Sequence, residues 1–118
     1  MKKAYYLSSC STCSKIMKSL DLDDSFELQD IKKEPMTESQ VDEMKELSGS
    51  YESLFSKRAM KYKSMGLKDK NLTESDIKKL IVEEYTFLSR PVFIINDQIF
   101  IGNSAKNVQA VKEALTNV

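Results

Sequence analysis

The 118-residue sequence has no histidine, only two cysteines, and 18 basic residues against 18 acidic ones. Without histidine, and with two sulfur ligands at most, a single chain cannot assemble a closed tetrahedral zinc site from cysteine and imidazole. The formal net charge of zero gives no overall attraction to nucleic acid or to a membrane surface. We therefore expect no metal, no direct nucleic-acid partner and no membrane partner.

Long apolar runs are also missing. No segment approaches the ~20 apolar residues that span a bilayer, and the apolar part of Met1–Leu7 is too short for a signal peptide. We expect a cytoplasmic protein, in which a disulfide is typically transient and catalytic. Because the chain has no repeat, low-complexity stretch or linker, we predict a single domain over residues 1–118. We also expect a monomer.

The order of the apolar patterns predicts an α/β fold. Ala4–Leu7 and Phe26–Leu28 are typical of strands, and the stretch from Thr12 between them has helical spacing. This is a βαβ unit, whose strands should be parallel with a right-handed crossover. Val92–Ile101 then predicts a β-hairpin with a tight turn, and Ser104 can begin a last helix.

A helical insertion is predicted between the second and third strands, at about residues 37–87. Thr37–Gln40 is a capping box, which is typical of the first residues of a helix, and Thr73–Asp76 opens another helix. Weaker periodicity over Tyr51–Met65 predicts one or two short helices. We interpret their aromatic residues and methionines as core, since such spacings are typical of core more often than of a cofactor site.

The two cysteines, Cys10 and Cys13, lie at the junction of the first strand and the first helix. A thiolate is the reactive form of cysteine, and the partial positive charge of a helix N-terminus favours it. We therefore predict thiol chemistry at Cys10; the alternative is a buried, inert thiol. A second thiol three positions on can resolve an oxidised Cys10, and the alternative for Cys13 is a small helix residue with no redox role.

Four segments resemble, in order, the motifs of one known family. They are Tyr6–Cys13, Asp30–Pro35, Ser56–Leu67 and Leu88–Val92. Together they are similar to the arsenate reductase (ArsC) and Spx family over essentially the whole chain. The resemblance implies a thioredoxin-like fold, with a mixed four-stranded sheet and a cis peptide bond at Pro91 facing the thiols.

The resemblance also implies roles for particular residues. In the reductases of this family a cysteine attacks arsenate, and glutathione with glutaredoxin completes the electron transfer. Cys10 matches that nucleophile, while Arg58 and Arg90 match two arginines that bind the oxyanion. Planar guanidinium groups suit tetrahedral oxyanions and also stabilise a thiolate; the alternative for both arginines is an exposed surface position. No bound cofactor is implied, and glutathione with glutaredoxin, or thioredoxin, is the expected electron donor.

Departures from the reductase pattern keep other functions open. Gly102–Ala105 stands where reductases have a third arginine, Ser14 where the family commonly has another, and Ser8 is the nearest match to a histidine. These changes predict weaker oxyanion binding and a less depressed Cys10 pKa. Spx regulators also lack the third arginine and have a CxxC redox switch, which Cys13 completes here.

Three hypotheses follow. The first is a thiol-dependent oxidoreductase, in which Cys10 attacks arsenate or a disulfide and Cys13 or glutathione resolves the adduct. The second is an Spx-like redox-sensing regulator that binds the α subunit of RNA polymerase. The third is a family member that keeps the fold without arsenate reductase activity, since fold does not fix function.

Overall fold

The computed structural model describes residues 2–116. Short 3₁₀ turns lie at Glu52–Leu54, Leu67–Asp69 and Tyr85–Phe87. The helices and strands are, in chain order, β1 (Lys2–Tyr6), α1 (Ser11–Leu20), β2 (Glu27–Asp30), α2 (Glu38–Ser48), α3 (Met60–Ser64), α4 (Glu74–Glu83), β3 (Val92–Ile95), β4 (Gln98–Ile101) and α5 (Ala105–Thr116).

The chain forms two compact units. The first is Met1–Glu34 together with Arg90–Val118, and the second is Pro35–Ser89. The second unit contains the helical insertion predicted at about residues 37–87. Whether the chain acts as the single domain expected over residues 1–118 stays a prediction.

The first unit is built on a mixed four-stranded sheet in the order β2-β1-β3-β4. β1 is parallel to β2 and antiparallel to β3, which is in turn antiparallel to β4. The βαβ unit and the hairpin predicted from the sequence are therefore confirmed. Tyr6 lies opposite Asp30, and Tyr5 lies opposite Val92. The carboxyl ends of β1 and β2 and the first residue of β3 thus meet at one edge of the sheet.

A hydrophobic cluster joins this sheet to α1 and α5. Helical spacing places Ile16 and Leu20 on the buried side of α1. Full burial of such a side chain stabilises a fold by about 1.5–3 kcal/mol. The buried members of the cluster are Ala4, Ile16, Leu20, Phe26, Phe93, Ile95 and Val111.

The second unit begins each of its two longer helices with a capping box. The box at Thr37 was predicted from the sequence, whereas at Thr73 only the start of a helix was predicted. Thr37 Oγ1 accepts from the Gln40 N–H and Gln40 Oε1 accepts from the Thr37 N–H, both at 3.1 Å. Thr73 and Asp76 make the same reciprocal pair at 3.2 and 2.9 Å. Gly49, at φ +99°, ends α2 in the left-handed conformation that favours glycine.

The prediction that the methionines of Tyr51–Met65 belong to the core is wrong. Met60 is 88% exposed and Met65 is 45% exposed. The reason is that α3 has only five residues and buries none of them. The apolar contacts of this segment are made instead by Phe55, whose ring stacks on Phe87 with centroids 5.3 Å apart.

Two strand boundaries also differ from the sequence prediction. β1 covers Lys2–Tyr6 rather than Ala4–Leu7, and β2 covers Glu27–Asp30 rather than Phe26–Leu28. The limits of a strand are set by its hydrogen bonds to the neighbouring strand, and the pattern of apolar residues alone does not reveal that pairing. Phe26 precedes the strand but packs in the core, whereas Leu28 lies within the strand and is 52% exposed.

Candidate active site

A tight turn carries the chain from β1 to the first cysteine. The Cys10 N–H donates to the Leu7 carbonyl at 3.0 Å, and this bond closes the turn. Cys10 is the N-cap residue of α1, with φ −93° and ψ 115°. Its own carbonyl accepts the first helical hydrogen bond, from the Ser14 N–H at 3.1 Å. The thiol therefore stands where the N–H groups of the first helical turn have no helical partner.

These surroundings lower the pKa of the Cys10 thiol. Partial burial alone would raise it, but the Cys13 N–H, the Cys13 thiol, the Thr12 N–H and the Arg90 charge together outweigh that effect. All four favour a negative sulfur, three by hydrogen bonding and one by charge. The structure thus makes Cys10 the more acidic of the two thiols, and Cys10 remains half-buried rather than enclosed.

Cys13 has the opposite environment. It is fully buried on the inner side of α1. Burial, the largest cause, and the neighbouring Cys10 sulfur together raise its pKa to about 11. The Leu7 N–H and the Arg90 charge act against this rise without cancelling it. Both cysteines are free. At neutral pH the pair therefore consists of a protonated Cys13 beside the more acidic Cys10.

Arg90 and Pro91 stand at the same edge of the sheet as this pair. The peptide bond between them is cis, as the family resemblance implies, and it directly precedes β3. The positive charge of Arg90 lowers the pKa of both thiols. The structure therefore brings together three of the residues named from the sequence: Cys10, Cys13 and Arg90.

Arg58 belongs to the second compact unit, Pro35–Ser89. It is an exposed residue that precedes α3. Its contribution to oxyanion binding stays a prediction.

A buried carboxylate was not assigned a role from the sequence. Asp30, at the end of β2, is 8% exposed and accepts a hydrogen bond from the Ser8 hydroxyl. That bond is the main cause that lowers the pKa of the Asp30 carboxyl; burial opposes it, and the Lys32 N–H adds to it. An acidic residue at the carboxyl end of a strand parallel to β1 was the available signal. That signal indicates that Asp30 lies at the edge of the sheet, but it does not identify Ser8, 22 residues earlier in the chain, as its hydrogen-bond partner.

Neither a metal cluster nor a membrane span is found in the described residues 2–116. No three histidine, cysteine, aspartate or glutamate side chains there are grouped so that they could hold a metal ion. No helix in that range is long and apolar enough to cross a membrane.

Comparison with solved structures shows the same fold in several proteins. The Staphylococcus aureus protein SACOL0876 is 26% identical, with a TM-score of 0.75 over 93% of this chain and 97% of that one. A Bacteroides fragilis protein related to the ArsC family is 21% identical, with a TM-score of 0.78 over 94% and 97%. An arsenate reductase from Vibrio cholerae is 17% identical, with a TM-score of 0.73 over 96% of each chain.

These neighbours confirm the thioredoxin-like fold class expected from the resemblance. Among curated proteins, none matches this chain. The model of the ArsC family matches residues 5–111, a range that holds the turn before α1, both thiols and the cis-proline. The protein therefore belongs to the ArsC family.

Proposed function

We propose that this protein is a thiol-dependent oxidoreductase in which Cys10 is the nucleophile and Cys13 the resolving thiol. The observation that carries the proposal is the placement of the two free thiols: Cys10 is half-buried at the N-cap of α1, and Cys13 is buried on the inner side of that helix. This placement lowers the pKa of Cys10 and raises that of Cys13 to about 11. Nucleophilic attack needs a thiolate. A buried partner that keeps its proton does not compete for the first step.

In the first step the Cys10 thiolate attacks the oxidised substrate. With arsenate, sulfur bonds to arsenic(V) and one arsenate oxygen leaves as water. With a disulfide, sulfur attacks one sulfur atom, the S–S bond breaks, and a thiolate leaves. Either adduct removes the negative charge from Cys10, and that charge is one cause of the high Cys13 pKa. Adduct formation therefore makes Cys13 easier to deprotonate.

In the second step Cys13 gives up its proton and attacks the Cys10 sulfur. The Cys10–Cys13 disulfide forms, and the bond from Cys10 to arsenic or to the substrate sulfur breaks. The electron pair of that bond stays with the departing group, which leaves as arsenite or as a thiolate. Two electrons have then passed from the cysteines to the substrate. Glutathione with glutaredoxin, or thioredoxin, is the proposed donor that reduces the disulfide by exchange.

Arg90, with Arg58, is the proposed anion site. The charge of Arg90 acts on both sulfur atoms, and a guanidinium group can bind two oxygens of a tetrahedral anion at once. Arsenate should therefore protect Cys10 from alkylation. The Arg90→Gln variant should lose that protection, whereas Arg90→Lys keeps the charge and should retain part of it.

Steady-state reduction of arsenate, with glutathione and glutaredoxin as donor system, tests the reductase proposal. The matched control is Cys10→Ser, which keeps a small polar N-cap residue but lacks the nucleophile. Turnover should depend on Cys10 and should fall, without vanishing, in Cys13→Ser if glutathione can resolve the adduct. Turnover no higher than that of Cys10→Ser would contradict arsenate reduction and leave disulfide exchange to be assayed with the same variants.

A second candidate is an Spx-like redox regulator that binds the α subunit of RNA polymerase. The segment after β4, where reductases have a third arginine, favours it. Here Asn107 donates its side-chain amide to the Gly102 carbonyl at 2.9 Å, and the Ser104 hydroxyl accepts from the Asn107 N–H at 3.1 Å. These contacts serve the start of α5 and supply no guanidinium.

A pull-down with the polymerase α subunit, using reduced protein and protein oxidised at Cys10 and Cys13, separates the two candidates. Binding that changes with the redox state would support the regulator. Absence of binding in both states, together with turnover of arsenate or a disulfide, would support the oxidoreductase. If the protein neither binds the polymerase subunit nor turns over arsenate or a disulfide, a family member without reductase activity would be favoured.

A further inference from the structure

The buried Asp30 carboxylate is tied to the turn that carries Cys10. It is the one charged side chain that residues 2–116 bury. Asp30 Oδ2 accepts from the Ser8 hydroxyl at 2.5 Å, and Ser8 lies in the turn between Leu7 and Cys10. A hydrogen bond to an ionised carboxylate is roughly twice as strong as one between neutral groups. The carboxylate therefore restrains the exposed hydroxyl of the turn.

Backbone pairing brings the two groups together. Tyr6, the last residue of β1, lies opposite Asp30, the last residue of β2. The Ile31 N–H donates to the Tyr6 carbonyl at 2.9 Å, which continues the parallel pairing one residue beyond β2. Ser8 follows Tyr6 by two residues, so its hydroxyl reaches the carboxylate across the edge of the sheet.

The carboxylate is itself held by its own loop. Asp30 Oδ1 accepts from the Lys32 N–H at 3.2 Å, and the Asp30 carbonyl accepts from the Lys33 and Glu34 N–H groups at 3.1 and 2.8 Å. Gln29, which is 2% exposed, donates its side-chain amide to the Glu34 carbonyl at 3.0 Å. Asp30 is thus anchored by bonds that do not involve Ser8.

We propose that the Ser8–Asp30 hydrogen bond is a positioning device for the nucleophile. It fixes the Leu7–Cys10 turn so that the Cys10 sulfur stays beside the Thr12 and Cys13 N–H groups. The stabilisation of an anion at a helix N-terminus fades within one turn, so a looser turn reduces it. Ser8 and Asp30 are positioning residues, and the proposal rests on the role of the Cys10 thiolate in the proposed function.

Positioning and charge give opposite expectations at Asp30. A carboxylate near a thiol disfavours the thiolate, so removal of its charge alone would lower the Cys10 pKa. Loss of the restraint on the turn would raise that pKa. The sign of the change in the Asp30→Ala variant therefore distinguishes the two effects.

The experiment is the pH dependence of Cys10 alkylation by iodoacetamide, followed by mass spectrometry of the Cys10 peptide. In Ser8→Ala and in Asp30→Ala the midpoint should rise by about half a pH unit, with alkylation roughly threefold slower below the midpoint. Asp30→Asn keeps an oxygen that accepts from Ser8, so its midpoint should not rise. The Ser8→Ala/Asp30→Ala double variant should match the single variants.

Ser25→Ala is the matched control, because Ser25 also donates its hydroxyl to an aspartate, Asp23, but in the exposed turn before β2. Its midpoint should not move. Ser8 is exposed, so Ser8→Ala keeps the test valid if Asp30→Ala does not fold. An unchanged midpoint in folded Ser8→Ala, or a lower midpoint in folded Asp30→Ala, would overturn the proposal. Failure of the proposed function would appear elsewhere, as a Cys10 midpoint at the ordinary 9.0 in the unaltered protein.

Discussion

Cys10 and Cys13 are three positions apart in the sequence, yet they differ in acidity because each meets a different part of the same helix. Cys10 stands before the helix begins and faces N–H groups that lower its pKa against the effect of burial. Cys13 is one turn further on, on the buried side of α1, where loss of solvent penalises the charged form. One helix start therefore supplies both a more acidic thiol and a protonated partner.

The first prediction is that alkylation separates the two thiols by pH. Cys10 should react with a midpoint below the ordinary 9.0, while Cys13 should stay protected until the pH approaches about 11. Because only the thiolate reacts, the rate at Cys10 should fall as the pH drops through its lowered pKa. Mass spectrometry of the two cysteines after short iodoacetamide pulses measures both curves. Equal rates at neutral pH, or earlier reaction of Cys13, would contradict the assignment.

The second prediction concerns the hydrogen bond from the Cys13 thiol to the Cys10 sulfur. A hydrogen bond to a charged group contributes roughly 1.5–3 kcal/mol, so its loss in Cys13→Ala should raise the Cys10 midpoint by about one pH unit. Cys13→Ser keeps a donor and should change the midpoint less. Both variants lack the resolving thiol, so a mixed disulfide formed with glutathione disulfide should persist on Cys10. Rapid release of glutathione from either variant would count against Cys13 as the resolving thiol.

Helices whose beginnings are encoded locally were predicted well from the sequence. The capping boxes at Thr37 and Thr73 involve side chains three residues apart, so the sequence pattern contains the whole interaction. Strand limits depend on a partner strand, and the limits of β1 and β2 were accordingly shifted. The bond between Ser8 and Asp30 joins residues 22 apart. No local pattern reports such a contact, which is why Asp30 received no role from the sequence.

Short segments are the other source of error. A helical pattern over Tyr51–Met65 suggested buried methionines, but α3 is a single turn with no buried residue. Periodicity needs several turns before it identifies a buried face. The family resemblance supplied what spacing could not, namely the cis bond before Pro91 and the assignment of Arg90 to the site.

The third prediction is the contribution of the two caps to stability. Thr37→Ala and Thr73→Ala should each lower the free energy of unfolding by about 1 kcal/mol, because each leaves a helix N–H without its side-chain acceptor. Ser39→Ala and Ser75→Ala are matched controls, since both serines are exposed positions just inside the same helices. These controls should change stability by less than about 0.5 kcal/mol. Urea unfolding measures all four; equal effects of cap and control variants would contradict the role of the caps.

Over the whole molecule, charge balances to zero and histidine is absent. Several carboxyl groups nevertheless have lowered pKa values, because they accept hydrogen bonds in the folded state. In three of them one hydrogen-bond partner is the main cause. The pairs are Asp30 with Ser8, Glu84 with Lys61, and Asp76 with Thr73. A group with a lowered folded pKa stabilises the protein above its unfolded pKa, and that stability is lost as the pH falls through the folded value.

The fourth prediction is that the protein loses stability at acid pH, because these carboxyl groups have lowered pKa values in the folded state. The unfolded values are near 3.8 for aspartate and 4.5 for glutamate, so stability should be lost below about pH 4.5. Between pH 5 and 7 the melting temperature should change little, since no histidine titrates there. Thermal unfolding at pH 3, 4, 5 and 6 measures the loss. Asp30→Asn removes one of the responsible carboxyls, so its melting temperature should fall less between pH 6 and pH 3. A fall equal to that of the unaltered protein would mean that the Asp30 carboxylate contributes nothing to acid sensitivity.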